Sequence, residues 1–427
     1  MLGILLGLVV LMALAYLGWS IIWIAPIAAG VVALTGGLDL LNAYTDTYMG
    51  GFVSFAKDWF PVFMLGAVFG KLMEDTGMAR SVAVALTKVI GTKRAILGVL
   101  ASAAVLTYGG VSLFVVVFAV YPLALSLFRE ANISRKLIPA TVALGSFTFT
   151  MTAIPGTPQI QNLIPMEYFK TTPTAAPIMG IAGALVMAVG GYFYLRWREK
   201  QLTEKGEVFT EPKDNKITED EVKAPPFILS ILPLLTVLLT LNLLKWDVVI
   251  ALISGIILIM LLNITKFKRF VPSINSGASG SVIAIINTSA AVGFGTVVKA
   301  VPGFQKLTEL LMGVKGNPLI SESIAVNVLA GATGSASGGM GIALEALGSK
   351  YYEIAMDTGI SPEAFHRVAS ISSGGLDALP HNGAVLTLLA ITGLTHKDSY
   401  KDIFVVAVLI PVLSVVVAII LASIGLI

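Results

Sequence analysis

The stretch FTMTAIPGTPQIQNLIP, residues 149–165, sets three prolines, a glycine, two glutamines and an asparagine inside a chain otherwise composed for lipid. Backbone N–H and C=O groups left unpaired in hydrocarbon are costly, so a broken helix at membrane depth is tolerated only inside protein or beside a water-filled cavity. How this segment is read therefore decides whether the chain is a simple bundle or a scaffold for a buried site.

The surroundings are unambiguous. Of 427 residues, 56% are hydrophobic and 12% charged, with a mean hydropathy of +0.88; soluble domains carry about 25% charged residues. Runs such as LGILLGLVVLMALAYLG and IFVVAVLIPVLSVVVAIILASIGLI can span a hydrocarbon core of roughly 30 Å. Because such runs recur along the whole chain, a single signal peptide on a soluble enzyme does not explain them. The composition predicts an all-α polytopic membrane protein. Zero cysteines exclude disulfides and thiol chemistry, and a net charge of +3 gives nucleic-acid binding no support.

Apolar spans are expected at 2–18, 21–36, 59–76 and 177–196, with interrupted regions at 94–128 and 136–169. A polar linker at 197–225 follows, ended by Pro225 and Pro226, and the series restarts: 227–244, 248–264, 278–298, interrupted regions at 322–356 and 363–394, and 403–425. Laid over each other at one constant offset, the two series set Phe69-Gly70 over Phe294-Gly295, Gly109 over Gly334, Ser112 over Ser337, Ala153 over Ala378 and Pro155 over Pro380. The matching order of intact and broken segments predicts a duplication, 1–196 and 226–427. If 94–128 enters and leaves by one face, each half crosses five times and the second half is inverted. That topology gathers most of the 28 Lys and Arg residues, the linker included, on one side, which the positive-inside rule makes cytoplasmic.

Four breaks stand out: TYGGVS at 107–112, TAIPGTPQIQN at 152–162, GATGSASGG at 331–339 and SSGGLDALPHNG at 372–383. Glycine and proline are common in membrane helices, and one break alone reads as a kink. Four in corresponding pairs, each adding hydroxyl or amide groups, point to a transporter's substrate site. The chemistry suits an anion: a restarting helix offers free N–H groups and about half a positive charge, and these breaks contain no Lys or Arg. The candidate ligands are Tyr108, Gly109, Gly110, Ser112, Pro155, Gly156, Thr157, Asn162, Thr333, Gly334, Ser335, Ser337 and Asn382.

Among titratable groups, His381 and Asp377 fall inside the last break, where an ionisable residue is a functional candidate by default. Histidine's reference pKa near 6.5 suits proton exchange. A fixed hydrogen-bonding pair that shapes the break is the other reading. His396 is expected at the solvated surface and His366 at the interface, while Glu345 is a weaker candidate and Asn287 and Asn327 read equally as interhelical glue. GATGSASGGMG lacks the Walker lysine, and no HExxH or Gly-x-Ser-x-Gly occurs, so no enzymatic chemistry and no cofactor are expected.

TYGGVSLFVVVFAVYPLA, TAIPGTPQIQNLIP, ATGSASGGMGIALEAL and FHRVASISSGGLDALPHNGAVLTLLAITGLTH resemble the gluconate:proton symporter (GntP) family of bacterial permeases, and most closely its members described as D-β-hydroxybutyrate permeases. The similarity runs through nearly the whole chain, least through 197–225. It implies a place in a larger ion-transporter group: inverted repeats, re-entrant hairpins with tips at 107–112 and 333–338, broken-helix centres at 153–158 and 378–383, an elevator-like transport domain on a scaffold, a homodimer and a bacterial inner membrane. The scaffold would hold spans 1–36 and 227–264, and the transport elements about 59–169 and 278–394. Sodium-coupled members of that group carry Ser-Asn-Thr at the tips; TYGGVS and TGSASG lack the asparagine, which favours protons over sodium.

The expectation is a proton symporter importing a small hydroxy-monocarboxylate, with gluconate or another sugar acid as the alternative substrate and a passive anion channel as the competitor from another class. Half-helix N-termini with Ser112, Thr157, Ser335 and Ser337 would bind the carboxylate, Asn162 and Asn382 the hydroxyl, and His381 with Asp377 the proton.

Overall fold

The structure, a computed structural model, describes residues 1–212, 225–312 and 317–427, and every regular element among them is helical. Helices α1 (Leu2–Tyr16) and α2 (Ile21–Gly36) form an apolar hairpin, followed by the long α3 (Leu40–Asp75) and by α4 (Met78–Ile90). Next, α5 (Ala95–Tyr108) and α6 (Leu113–Glu130) fold back on each other, α7 (Ile138–Ser146) and α8 (Ile160–Phe169) flank the first long break, and α9 (Pro177–Glu204) leads into the linker. The succession then recurs as α10 (Phe227–Asn242), α11 (Val248–Leu262), α12 (Ile264–Ala300), α13 (Gly303–Met312), the folded-back pair α14 (Pro318–Thr333) and α15 (Ala336–Thr358), the flanking pair α16 (Pro362–Ser373) and α17 (Gly383–Thr392), and α18 (His396–Ser423).

Small residues set the central crossing of α3 and α12. A Cβ on Gly277 would stand 2.7 Å from the Val68 backbone, and one on Gly51 would stand 1.9 Å from Thr296 Oγ1. Only glycine lets two membrane helices approach this closely, and packing of this kind replaces the hydrophobic drive that lipid removes. The second folded-back pair closes for the same reason, since a Cβ on Gly339 would meet Ala330 N at 2.1 Å. Its turn uses Gly334 at φ +61°, and the first turn uses Gly110 at φ +98°. Both are left-handed conformations that a side chain disfavours.

Contacts between distant segments sort the helix ends into two groups. In one, Lys266 Nζ donates to Thr76 O at 2.7 Å, Ser273 Oγ to Asp75 Oδ2 at 2.6 Å, Arg129 pairs with Glu211 at 2.7 Å and Arg198 with Asp402 at 2.7 Å. In the other, Asn317 Nδ2 donates to Ser423 Oγ at 2.9 Å, Ala176 N to Glu363 Oε2 at 2.9 Å and Ile178 N to Ile427 O at 3.4 Å. The first group carries the basic loops expected on the cytoplasmic side.

Several boundaries differ from the sequence reading. Helix α3 begins at Leu40 rather than near 59, and α12 extends to 264–300. Helices α4 and α13 lie outside the expected spans, because their apolar residues form one stripe instead of a run. Helix α9 continues to Glu204, so the linker starts at Lys205; its residues 213–224, like 313–316, lie outside the described residues. Among the described residues four helices, α3, α9, α12 and α18, are long and apolar enough to cross a membrane. By contrast α1, α2, α10 and α11 have 15 or 16 residues, about 22–24 Å at 1.5 Å per residue. The α10 end reaches only the depth of the first break, where Asn242 Nδ2 donates to Gly156 O at 2.8 Å.

Candidate substrate site

Four helices begin at one cavity of about 440 Å³: α6 after Ser112, α8 after Gln159, α15 after Ser335 and α17 after Asn382. Each has at least ten residues. Ser335 and Asn382 cap their own helices, Ser335 Oγ accepting from Gly338 N at 3.1 Å and Asn382 Oδ1 from Val385 N at 2.9 Å. Ser112 and Gln159 make no such bond. Two helix starts therefore lack a side-chain cap, and four macrodipoles have their positive ends at the cavity. No Lys or Arg lines it among the described residues, and Asp377 is its one carboxylate. The opposite wall comes from Trp19 and Ser20 between α1 and α2, Val62 and Phe63 of α3, and Ser281 and Asn287 of α12.

Of the residues singled out from sequence, Gly110, Ser112, Thr333, Gly334, Ser335, Ser337, Asn382, Asp377 and His381 line this cavity. Asn382 Nδ2 donates to Asp377 Oδ1 at 2.8 Å and to Gly334 O at 2.9 Å, so both its N–H donors are spent within the second break and on tying it to the second turn. His381 closes over that turn; a Cβ on Gly334 would stand 2.8 Å from its ring. The carbonyls freed by the break are satisfied from α18: His396 Nε2 lies 2.8 Å from Pro380 O, and Tyr400 Oη donates to Ala378 O at 3.1 Å. His396 is thus a half-buried brace for the site rather than a solvated surface residue.

The structure does not bring Tyr108, Gly109, Pro155, Gly156, Thr157 and Asn162 to the cavity. Tyr108 Oη donates to Pro155 O at 3.0 Å, and Gly109 makes room for Leu234, 2.7 Å from where its Cβ would be. Gly156, at φ +84°, donates to Pro173 O at 2.8 Å, and the buried Thr157 faces Tyr108 O at 3.5 Å. Asn162 is fully buried, donating to Thr157 O and Pro173 O at 2.9 Å each and accepting from Arg367 Nη1 at 2.9 Å. Asn162 and Thr157, expected to hold substrate, are thus engaged with the surrounding backbone and with Arg367, away from this cavity. Pro158 and Gln159 take their place at the cavity.

Arg367, absent from the sequence reading, is fully buried and donates to Ala175 O at 2.7 Å from Nη2 and 3.1 Å from Nε. Its neighbour His366 is buried too, 2.6 Å from Thr171 Oγ1, not interfacial as expected. Glu345 stands apart, accepting from Tyr168 Oη at 3.3 Å and facing Lys299 at 3.8 Å. Two signals in the sequence could have found further residues: the acid in SESIAVNV, Glu322, and the cation in FHRVAS, each a charge inside an apolar stretch. Asn287, left open as glue, lines the cavity with a buried Oδ1 that has no hydrogen-bond partner among the described residues. A larger cavity of about 1360 Å³ opens among Arg80, Arg135, Lys136, Lys268 and Arg269 at the other end of the molecule and contains no break residue.

An apolar helical fold with a polar, dipole-lined cavity at its broken helices defines a multi-pass membrane permease. A family model described as GntP family permease matches residues 1–294, and the chain belongs to that family. It is 43% identical, over 95% of both chains, to a protein of Bacillus subtilis named an uncharacterized transporter, YxjC. An uncharacterized permease of Haemophilus influenzae is 30% identical over 49% of this chain and 43% of its own. In fold, the chain resembles the YdaH transporter of Alcanivorax borkumensis, with a TM-score of 0.58 and 15% identity over 90% of this chain and 88% of that one. The protein is a transporter, not an enzyme.

Proposed function

We propose that this permease is a secondary active transporter that imports a small hydroxy-monocarboxylate, of the 3-hydroxybutyrate kind, together with a proton. The observation that carries the reading is the convergence of four helix N-termini on a cavity without Lys or Arg. A carboxylate there accepts from backbone N–H groups at α6 and α8, with Ser112, Ser335 and Ser337 adding donors. Asn287 Oδ1, buried and unpartnered, accepts from the substrate hydroxyl. Asp377 and His381 share the cavity with the substrate and exchange the proton. Because both are on the second break, movement of substrate and proton is carried by one element.

The two halves act in this reading as inverted repeats of about five crossings, with α1–α2 and α10–α11 as scaffold and the hairpins and broken helices as an elevator-type transport domain. The like succession of α1–α9 and α10–α18 supports it, as does the sorting of helix ends into two groups. Exposed apolar side chains on the short helices, Trp23 and Ile257 among them, suit lipid or the second subunit of a homodimer in a bacterial inner membrane. Protons rather than sodium remain the coupling ion.

The cavity volume favours one second reading. At about 440 Å³ it lies within the range of roughly 300–1000 Å³ for small-molecule sites and admits a longer polyol acid such as gluconate. A binding screen on purified protein with 3-hydroxybutyrate, lactate, glycerate and gluconate at several pH values separates these. Tightest binding of 3-hydroxybutyrate, strengthening as pH falls, is expected; preference for gluconate moves the assignment to sugar acids. Purely downhill flux in proteoliposomes identifies a channel instead.

A further inference from the structure

Glu322 lies one turn into α14, on the arm that leads from the end of the molecule opposite the basic loops to the turn at Gly334. It is fully buried, and neither carboxylate oxygen has a hydrogen-bond partner among the described residues. No ion pair reaches it among the described residues. An ionised carboxylate in such a place is an unpaired buried charge and costly, whereas the neutral acid fits it. The corresponding position of the first half is Leu97, so the arm itself does not require an acid.

The groups around Glu322 are few. From α15, Tyr351 lies within electrostatic reach, with its Oη 3.0 Å from Ser321 Oγ. From α16, Ser372 meets Ser323 at 3.1 Å, while His366 and Arg367 of that helix are engaged with Thr171, Asn162 and Ala175. Lys306 and Glu309 of α13 are exposed, residues 2–14 of α1 contain no titratable side chain, and Lys315 lies outside the described residues.

One turn beyond Ser323 stands Asn327, buried, with an unpartnered Oδ1 pressed against the second break: a Cβ on Gly375 would stand 1.8 Å from it. Gly375 is two positions from Asp377. Along the arm, Glu322 is therefore followed by the Ser323–Ser372 pair and by Asn327, polar side chains that lie between the acid and the break that holds Asp377 and His381.

We propose that Glu322 is the outer proton-binding group of the transporter: it takes a proton from the outer aqueous side and releases it to water entering beside the arm, which delivers it to the Asp377 carboxylate. In that step the Glu322 O–H bond breaks, the Asp377 O–H bond forms, and Glu322 is reprotonated from outside. The inference rests on the proton-symport reading and adds a residue and a route to it.

Glu322→Gln, a neutral isostere of the protonated acid, tests it in proteoliposomes. The expected result is loss of pH-gradient-driven accumulation of 3-hydroxybutyrate by tenfold or more, with substrate exchange at equal pH within about twofold of wild type, because exchange needs no net proton movement. Accumulation and pH profile equal to wild type overturn the proposal. If wild-type accumulation itself ignores the pH gradient, the symport reading has failed, and the two failures are thereby told apart. Should Glu322→Gln not fold, Glu322→Asp decides: a retained acid with a shifted pH profile of uptake supports the relay, and an unchanged profile refutes it.

Discussion

The two long breaks begin alike, with Ala153-Ile154-Pro155 at one and Ala378-Leu379-Pro380 at the other, and end in different chemistry. The first is locked onto its own backbone: Asn162 from within it, Tyr108 from the first turn, and Arg367 and Asn242 from the second half between them hold Thr157, Pro173, Ala175, Pro155 and Gly156 carbonyls. The second exposes Asp377 and His381 to the cavity and is steadied from behind by His396 and Tyr400. At corresponding positions of the two halves, Leu97, Ser102, Thr152 and Gly156 answer Glu322, Asn327, Asp377 and His381. The first break is thus a fixed wall, and under the proposed function the second supplies the groups that exchange the proton. Ionisable residues inside a membrane are costly, so each needs a partner, a cavity or a function: Arg367 has its partners, and Asp377 and His381 have the cavity.

Breaking the titrating side has the largest expected effect. Asp377→Asn should abolish concentrative uptake, by about 100-fold or more, while leaving substrate exchange measurable; full accumulation by this variant would remove Asp377 from coupling. On the fixed side, Arg367→Met leaves Asn162 Oδ1 and the Ala175 carbonyl without their donor, each such loss costing about 1–3 kcal/mol. A lowered melting temperature in detergent is expected, with the pH profile of the surviving fraction unchanged. A shifted profile would show that the first break also titrates.

Asn287→Ala sharpens the comparison from the opposite wall. Removing the acceptor should weaken binding of the hydroxy acid by about tenfold, close to 1.4 kcal/mol, and should weaken butyrate binding far less. Equal losses for both ligands would return Asn287 to a packing role. The smallest effect belongs to Tyr108→Phe, which deletes one bond to Pro155 O, about 0.5–1.5 kcal/mol of stability. Uptake should stay within twofold of wild type, since the hydroxyl faces the break and not the cavity.

Much of the architecture was legible because lipid enforces it. Long apolar runs, glycine and proline at the four breaks, and their order in the two halves come directly from the cost of unpaired backbone in hydrocarbon. The constant offset between the halves located both the Gly334 turn and the Asp377–Asn382 segment. Direction was not legible. Asn162 and Asn382 sit in breaks of similar composition, yet one faces Arg367 and the other Gly334, and composition does not say which way a side chain turns. His366 and Arg367 were invisible as a buried lock because their partners, Asn162, Thr171 and Ala175, belong to the other half of the sequence. Helices α4 and α13 escaped because an amphipathic stripe gives no hydropathy peak.

Coupling is the central claim: a carboxylate and a proton move together through the cavity where the four helix starts meet. Its most direct test is uptake of labelled 3-hydroxybutyrate into proteoliposomes under an imposed pH gradient, with a sodium gradient of equal size as the comparison. Transient accumulation above the outside concentration with acid outside, abolished by a protonophore and indifferent to sodium, is the predicted result. Accumulation driven by sodium alone, or equilibration without accumulation under either gradient, would contradict it.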